Sequence, residues 1–69
     1  MEFVMLTDKL NGRKVAVRVK SVRFIYEGED GTEGPSTEIW FDRSGVDLRL
    51  IEVREDFHTV LSRFNVIEG

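Results

Sequence analysis

His58 is the only histidine of the chain, and Ser62 follows it four residues on, the spacing at which two helical side chains touch. Asp56 lies near in sequence but points elsewhere on a helical wheel. A nucleophilic triad needs the acid on the far nitrogen of the imidazole, the serine on the near one, and an oxyanion hole besides, which neighbours on one helix do not supply together. A surface histidine is expected, and no catalytic residue. Glu52 and Glu55 form a second candidate pair, yet at a strand-to-helix junction carboxylates of this spacing serve the helix start. Glu27, Glu29 and Glu38 stand at positions 1, 3 and 12 of a calcium-loop pattern. Gly31 replaces the ligand at position 5 and Thr32 the glycine required at position 6, so no metal is expected. Cysteine is absent, which removes disulfides, thiolate metal sites and cysteine nucleophiles at once. The expectation is a protein that is not an enzyme and holds no cofactor.

Charge is the next chemistry on offer. Lys9, Arg13, Lys14, Arg18, Lys20 and Arg23 fall within fifteen residues, with no acid between Asp8 and Glu27. On a strand, Lys14, Arg18 and Lys20 share one face and Arg23 continues it, a basic stripe that suits phosphates or an acidic partner. A solvated strand face, with Lys and Arg stems covering apolar neighbours, is the plainer alternative. Nucleic-acid readers interleave aromatics for stacking, and here only Phe3 and Trp40 could serve; a net charge of −3 also counts against that partner. The stretch 28–36 reverses the sign: with Glu27 and Glu38 at its flanks it makes a mobile acidic loop of glycines, hydroxyls and the only proline. Such a loop could dock on a basic surface, as in a phage- or plasmid-type inhibitor of a host protein.

The elements that must carry these groups are short. EFVMLT and KVAVRV flank Asn11-Gly12, the strongest short hairpin signal. A two-residue turn would pair Leu6 with Val17, Val4 with Val19, Met5 with Arg18 and Phe3 with Lys20. The apolar phase slips from Val15, Val17 and Val19 to Val22, Phe24 and Tyr26, which requires a bulge or tight turn near Lys20-Ser21 between strands at 13–19 and 22–27. TEIWFD then alternates with Ile39 and Phe41 inward, RSG turns with Gly45 at positive φ, and VDLRLI returns with Val46, Leu48 and Leu50 inward. From Val53 the period becomes helical: Val53, Phe57, Val60, Leu61 and Phe64 make one stripe, so a helix is expected over 53–64, with Glu55 and Asp56 in its first turn and Arg63 near its end.

Several of these residues stand in a known order. LTxxLNG, the spacing from Val17 to Val22 and Ile25, Thr37-x-Ile39, Gly45, Leu48, Leu50 and Glu52-x-x-Glu55 together resemble the small flagellar-operon FlbD family across nearly the whole chain. The chain departs from that pattern at Arg18, where the family has an asparagine, in a longer 28–36 loop, and by one extra residue between Thr7 and Asn11. The resemblance implies the same strand and helix order and a non-enzymatic accessory protein connected with motility.

One α+β domain over 1–69 is the result: a small curved antiparallel sheet of four or five strands, with closure into a partial barrel left open, and one C-terminal helix packed on it. The face opposite the core receives Phe3, Met5, Ile25, Trp40 and Ile51, too many large apolar groups to leave wet. Either the sheet curls over them or they meet another protein or a second copy, a homodimer. Trp40 is the expected anchor of such a contact. No apolar run approaches a membrane span and Glu2 stands where a signal peptide would be basic, so a cytoplasmic protein that does not insert into membranes is expected.

Overall fold

A computed structural model describes residues 2–28, 34–43 and 47–66. In chain order these form β1 (Phe3–Thr7), β2 (Lys14–Arg18), a single 3-10 turn (Val19–Ser21), β3 (Val22–Glu27), β4 (Thr37–Arg43), β5 (Asp47–Val53) and α1 (Phe57–Arg63). The class is α+β, as expected, but the strands divide into two antiparallel sheets, β1–β2 and β3–β4–β5. The 3-10 turn is the cause. It falls at the phase slip and redirects the chain, so that β3 pairs with β4 and not with β2. The buried side chains of the two sheets share one core, and among the described residues one isolated bridge, between Asp8 and Val53, pairs their backbones. There Lys9 N–H donates to the Glu52 carbonyl and Arg54 N–H to that of Thr7, both at 2.9 Å.

The first hairpin keeps the expected faces but not the expected partners. Phe3 pairs with Arg18, Val4 with Val17, Met5 with Ala16, Leu6 with Val15 and Thr7 with Lys14, a slide of two residues that leaves Val4, Leu6 and Val17 buried together. A four-residue loop replaces the two-residue turn. Asp8 N–H donates to the Arg13 carbonyl at 2.8 Å and Gly12 N–H to that of Asp8 at 2.9 Å. The Asp8 carboxylate accepts from Leu10 N–H and the Asn11 side chain from Arg13 N–H. Gly12 alone of the loop has positive φ, +72°, where loops of this length end in a left-handed residue rather than the pair that a type I′ turn requires.

Three parts of the chain meet on one residue, Glu55. Glu55 Oε1 accepts from Thr7 N–H and Oε2 from the Thr7 hydroxyl, each at 2.9 Å, while the buried Thr37 hydroxyl donates to the Glu55 carbonyl at 2.8 Å. Arg63, from α1, donates to the Met5 carbonyl at 2.9 Å and lies 3.6 Å from Glu55 Oε2. Burial by itself would raise the Glu55 carboxyl; the Thr7 hydrogen bonds and the Arg63 charge outweigh it and hold the group below its ordinary 4.5. Glu55 thus serves β1 and not the helix start, correcting its expected role.

The helix is shorter than the stripe suggested. Val53 is the last residue of β5, fully buried and paired with Thr37, so its apolar side chain belongs to the sheet. Asp56 caps α1, its carboxylate accepting from Thr59 N–H at 2.7 Å. The Thr59 side-chain and backbone hydrogen bonds lower its pKa. At the other end Asn65 takes φ +58°, with Asn65 N–H on the Ser62 carbonyl and Val66 N–H on that of Leu61, the paired bonds of a left-handed helix stop. Seven residues do not hold a helix alone; Val60 and Leu61, buried against the sheets, do.

Two outcomes check this architecture. Gly12→Val is expected to cost about 1–2 kcal/mol because a β-branched residue resists the left-handed region and its Cβ would meet the Arg54 guanidinium at 3.3 Å; an unchanged melting temperature would count against the loop. A carboxyl whose pKa is lower in the fold stabilises it above the unfolded value, and that contribution disappears as pH falls through the folded value. Glu55→Gln should therefore be less stable than wild type near neutral pH, with the gap closing as pH falls below about 4.5, which urea denaturation at both ends of the range measures.

Candidate functional site

The register of the three-stranded sheet decides what it shows to solvent. Ile25, Ile39 and Ile51 stand in one row across β3, β4 and β5. Ile39 is fully buried, and Ile25 and Ile51 pack against the same core. The next row, Phe24, Trp40 and Leu50, necessarily lies on the opposite face, joined there by Tyr26 and Leu48. Phe24 is 49% exposed, Tyr26 54%, Leu48 51% and Leu50 44%; Trp40 is half-buried. Five large apolar groups therefore share one outer face.

This corrects the expected set. Of Phe3, Met5, Ile25, Trp40 and Ile51, only Trp40 is on the outer face of this sheet; Ile25 and Ile51 belong to the core side. Phe3 and Met5 are exposed on the outside of the first hairpin instead. Conversely Phe24, Tyr26, Leu48 and Leu50, expected inward, face out. Two causes are visible. The register shifts between Val22 and Phe24, a bulge at Arg23 that leaves Val22 inward but turns Phe24 and Tyr26 outward. Between β4 and β5 three residues intervene, so paired numbers sum to an even value and Ile39 must face an odd-numbered partner, Ile51. That parity rule was the available signal, since a three-residue turn cannot put Ile39 and Leu48 on one side.

Polar groups rim the face unevenly. Trp40 Nε1–H donates to Glu38 Oε1 at 3.4 Å, and Glu38 stands directly opposite Glu52, two like charges side by side. At the other end Arg23 donates to Asp42 Oδ2 at 3.0 Å, while Asp42 Oδ1 is buried with no partner among the described residues. The residues of the expected basic stripe are distributed over three elements. Lys14 and Arg18 share the outside of the hairpin, Lys14 donating to the Thr7 hydroxyl at 3.0 Å; Lys20 sits on the 3-10 turn and Arg23 in the other sheet.

The remaining candidates do not converge. His58 is exposed on α1, its ring edge-on to Phe57 at 6.0 Å between centroids, and Glu52 and Glu55 go to different places, the outer face and the Thr7 contact. Among the described residues no group of three or more His, Asp or Glu is placed to hold a metal. Glu29, Gly31 and Thr32 of the calcium-loop pattern, most of the acidic loop, and Gly45 and Val46 lie outside the described residues.

No family model, curated protein or solved structure matches the chain. Among the described residues no helix is long and apolar enough to cross a membrane.

The two faces of β5 should respond differently to truncation. Ile51→Ala is expected to cost roughly 2 kcal/mol or more and Leu50→Ala less than about 1, since only the first removes core packing; denaturant titration showing equal costs would contradict the assignment of faces.

Proposed function

We propose that this chain is a small non-enzymatic protein-interaction module whose partner docks on the outer face of β3, β4 and β5. The observation that carries it is the grouping of Phe24, Tyr26, Trp40, Leu48 and Leu50 on one face, four of them close to half exposed. Contiguous exposed apolar groups with a polar rim are the signature of an interaction site. Glu38 and Glu52 sharpen the partner. Like charges directly opposite on a sheet oppose folding by up to about 1 kcal/mol, so a partner that brings Lys or Arg to this rim relieves a cost the free domain carries.

The FlbD-like pattern agrees with an accessory role connected with motility, and absence of cysteine agrees with a cytoplasmic setting. The bridge between Asp8 and Val53 supports a related inference, that the two sheets act as halves of an incompletely closed barrel.

Trp40→Glu tests the proposal in a pull-down from the native host with mass spectrometry. A protein retained by wild type and by an Ala16→Glu control on the hairpin, and lost with a folded Trp40→Glu chain, is the expected result. Retention by all three, or unfolding of Trp40→Glu, would move Trp40 out of the binding face.

A further inference from the structure

Edge strands expose backbone donors and acceptors, and proteins usually guard them with Lys, Pro or like charges that prevent self-pairing. β4 is the only partner strand of β3 among the described residues, which leaves the other edge of β3 open. Its residues, Val22, Arg23, Phe24, Ile25, Tyr26 and Glu27, contain no Pro and no Lys, and its one bulge, at Arg23, leaves Phe24 to Glu27 in regular register. They read as their own complement. Run antiparallel to a second copy about Ile25, Arg23 faces Glu27 of the copy, Phe24 faces Tyr26, and Ile25 faces itself.

The open edge of β2 shows the opposite design. Centred on Ala16, its Lys14 would face Arg18 of a copy, a like-charge clash that disfavours pairing. The edge of β5 is partly occupied where Lys9 N–H reaches the Glu52 carbonyl. Among the described strands only β3 combines an open edge with opposite charges at its two ends.

We infer that this protein forms a two-fold dimer by antiparallel pairing of β3 with β3 of a second copy, Ile25 on the axis and Arg23–Glu27 ion pairs at both ends. Both faces of the joined strands gain by it. On the outer face Phe24 and Tyr26, whose rings lie 6.1 Å apart in one chain, meet the same pair from the copy and double the apolar surface. On the core side Val22, Ile25, Phe57, Leu61 and Phe64 line an open groove beside the β3 edge, with Arg23 in its lining, where the Ile25 side chain of the copy fits. Arg23 uses one guanidinium nitrogen on Asp42 and keeps further donors for Glu27 of the copy. The dimer deepens the interaction-module proposal by naming one partner, and it leaves Trp40, on the middle strand, free for another.

Sedimentation over a concentration series should show wild type approaching twice the 8.0 kDa of one chain. Glu27→Arg, which sets Arg against Arg, should weaken the dimer at least about tenfold, as should Arg23→Glu. An equimolar mixture of these two variants should dimerise again, because each mixed pair restores opposite charges at both ends. Ile25→Cys, the only thiol in an otherwise cysteine-free chain, should cross-link to dimer under mild oxidation while Ala16→Cys at equal concentration does not, and this arm stands even if Arg23→Glu fails to fold. A wild type that stays monomeric, a dimer indifferent to Glu27→Arg, or an Ile25→Cys chain that cross-links no faster than Ala16→Cys would each overturn the proposal. A monomer that still loses its captured protein with Trp40→Glu would overturn the dimer alone and leave the outer face standing.

Discussion

A single carboxylate, that of Glu55, ties together parts of the fold that strand pairing joins, among the described residues, at one isolated bridge. It takes both hydrogen-bond donors of Thr7 from the first hairpin, sits on the backbone segment that Thr37 of the second sheet holds, and lies beside Arg63 of the helix. The core of so small a chain has little to spare, since the buried apolar side chains among the described residues are mostly Val and Leu. Two sheets whose backbones pair at one bridge could slide over such a core, whereas a carboxylate with fixed donors on two sides sets their relative position. The partly buried charge is tolerable because it is fully partnered. Everything said about the outer face presupposes this clasp, for it holds the hairpin and helix on the other side of β3–β4–β5.

The residues of the clasp were in view before their contacts were. Thr7, Thr37 and Glu55 all stand among the residues that the sequence singles out, and in the fold they meet at one point. Element order, the break at Lys20-Ser21 and the inward face of the first hairpin were legible because period-2 alternation survives a two-residue slide. Faces of β3 and β5 were not legible by periodicity. β3 carries apolar residues on both sides of a bulge, and in β5 Leu48 and Leu50 compete with Ile51 and Val53, so only the strand pairing decides. Val53 was ambiguous for a similar reason: an apolar residue four before Phe57 fits a helical stripe as well as the last step of a strand.

What remains after folding is an imbalance of surface. The core takes the row of isoleucines, and the aromatic row is left outside with two facing glutamates at one end and a buried, half-satisfied aspartate at the other. Each of these features costs the isolated domain something, and a sheet selected for stability alone would have placed Thr, Lys or Arg there. Their coincidence on one face is more informative than any one of them. The basic groups, by contrast, are distributed over two sheets and the 3-10 turn, with Lys14 on Thr7 and Arg23 on Asp42.

Gly28 and Ser36 give one more property to this fold. Gly28 N–H donates to the Ser36 carbonyl at 3.0 Å, and a Cβ on Gly28 would come within 2.3 Å of the Ser36 hydroxyl, so the strands β3 and β4 are pinched shut at the base of the segment between them. A pinched base separates the length of that segment from the geometry of the sheet. The alignment of β3 with β4 at this end is thus set by residues 28 and 36 themselves. For a protein engineer the pair is a fixed point: any side chain at Gly28 would have to displace Ser36, so this glycine at the end of β3 cannot be recoded without moving its partner.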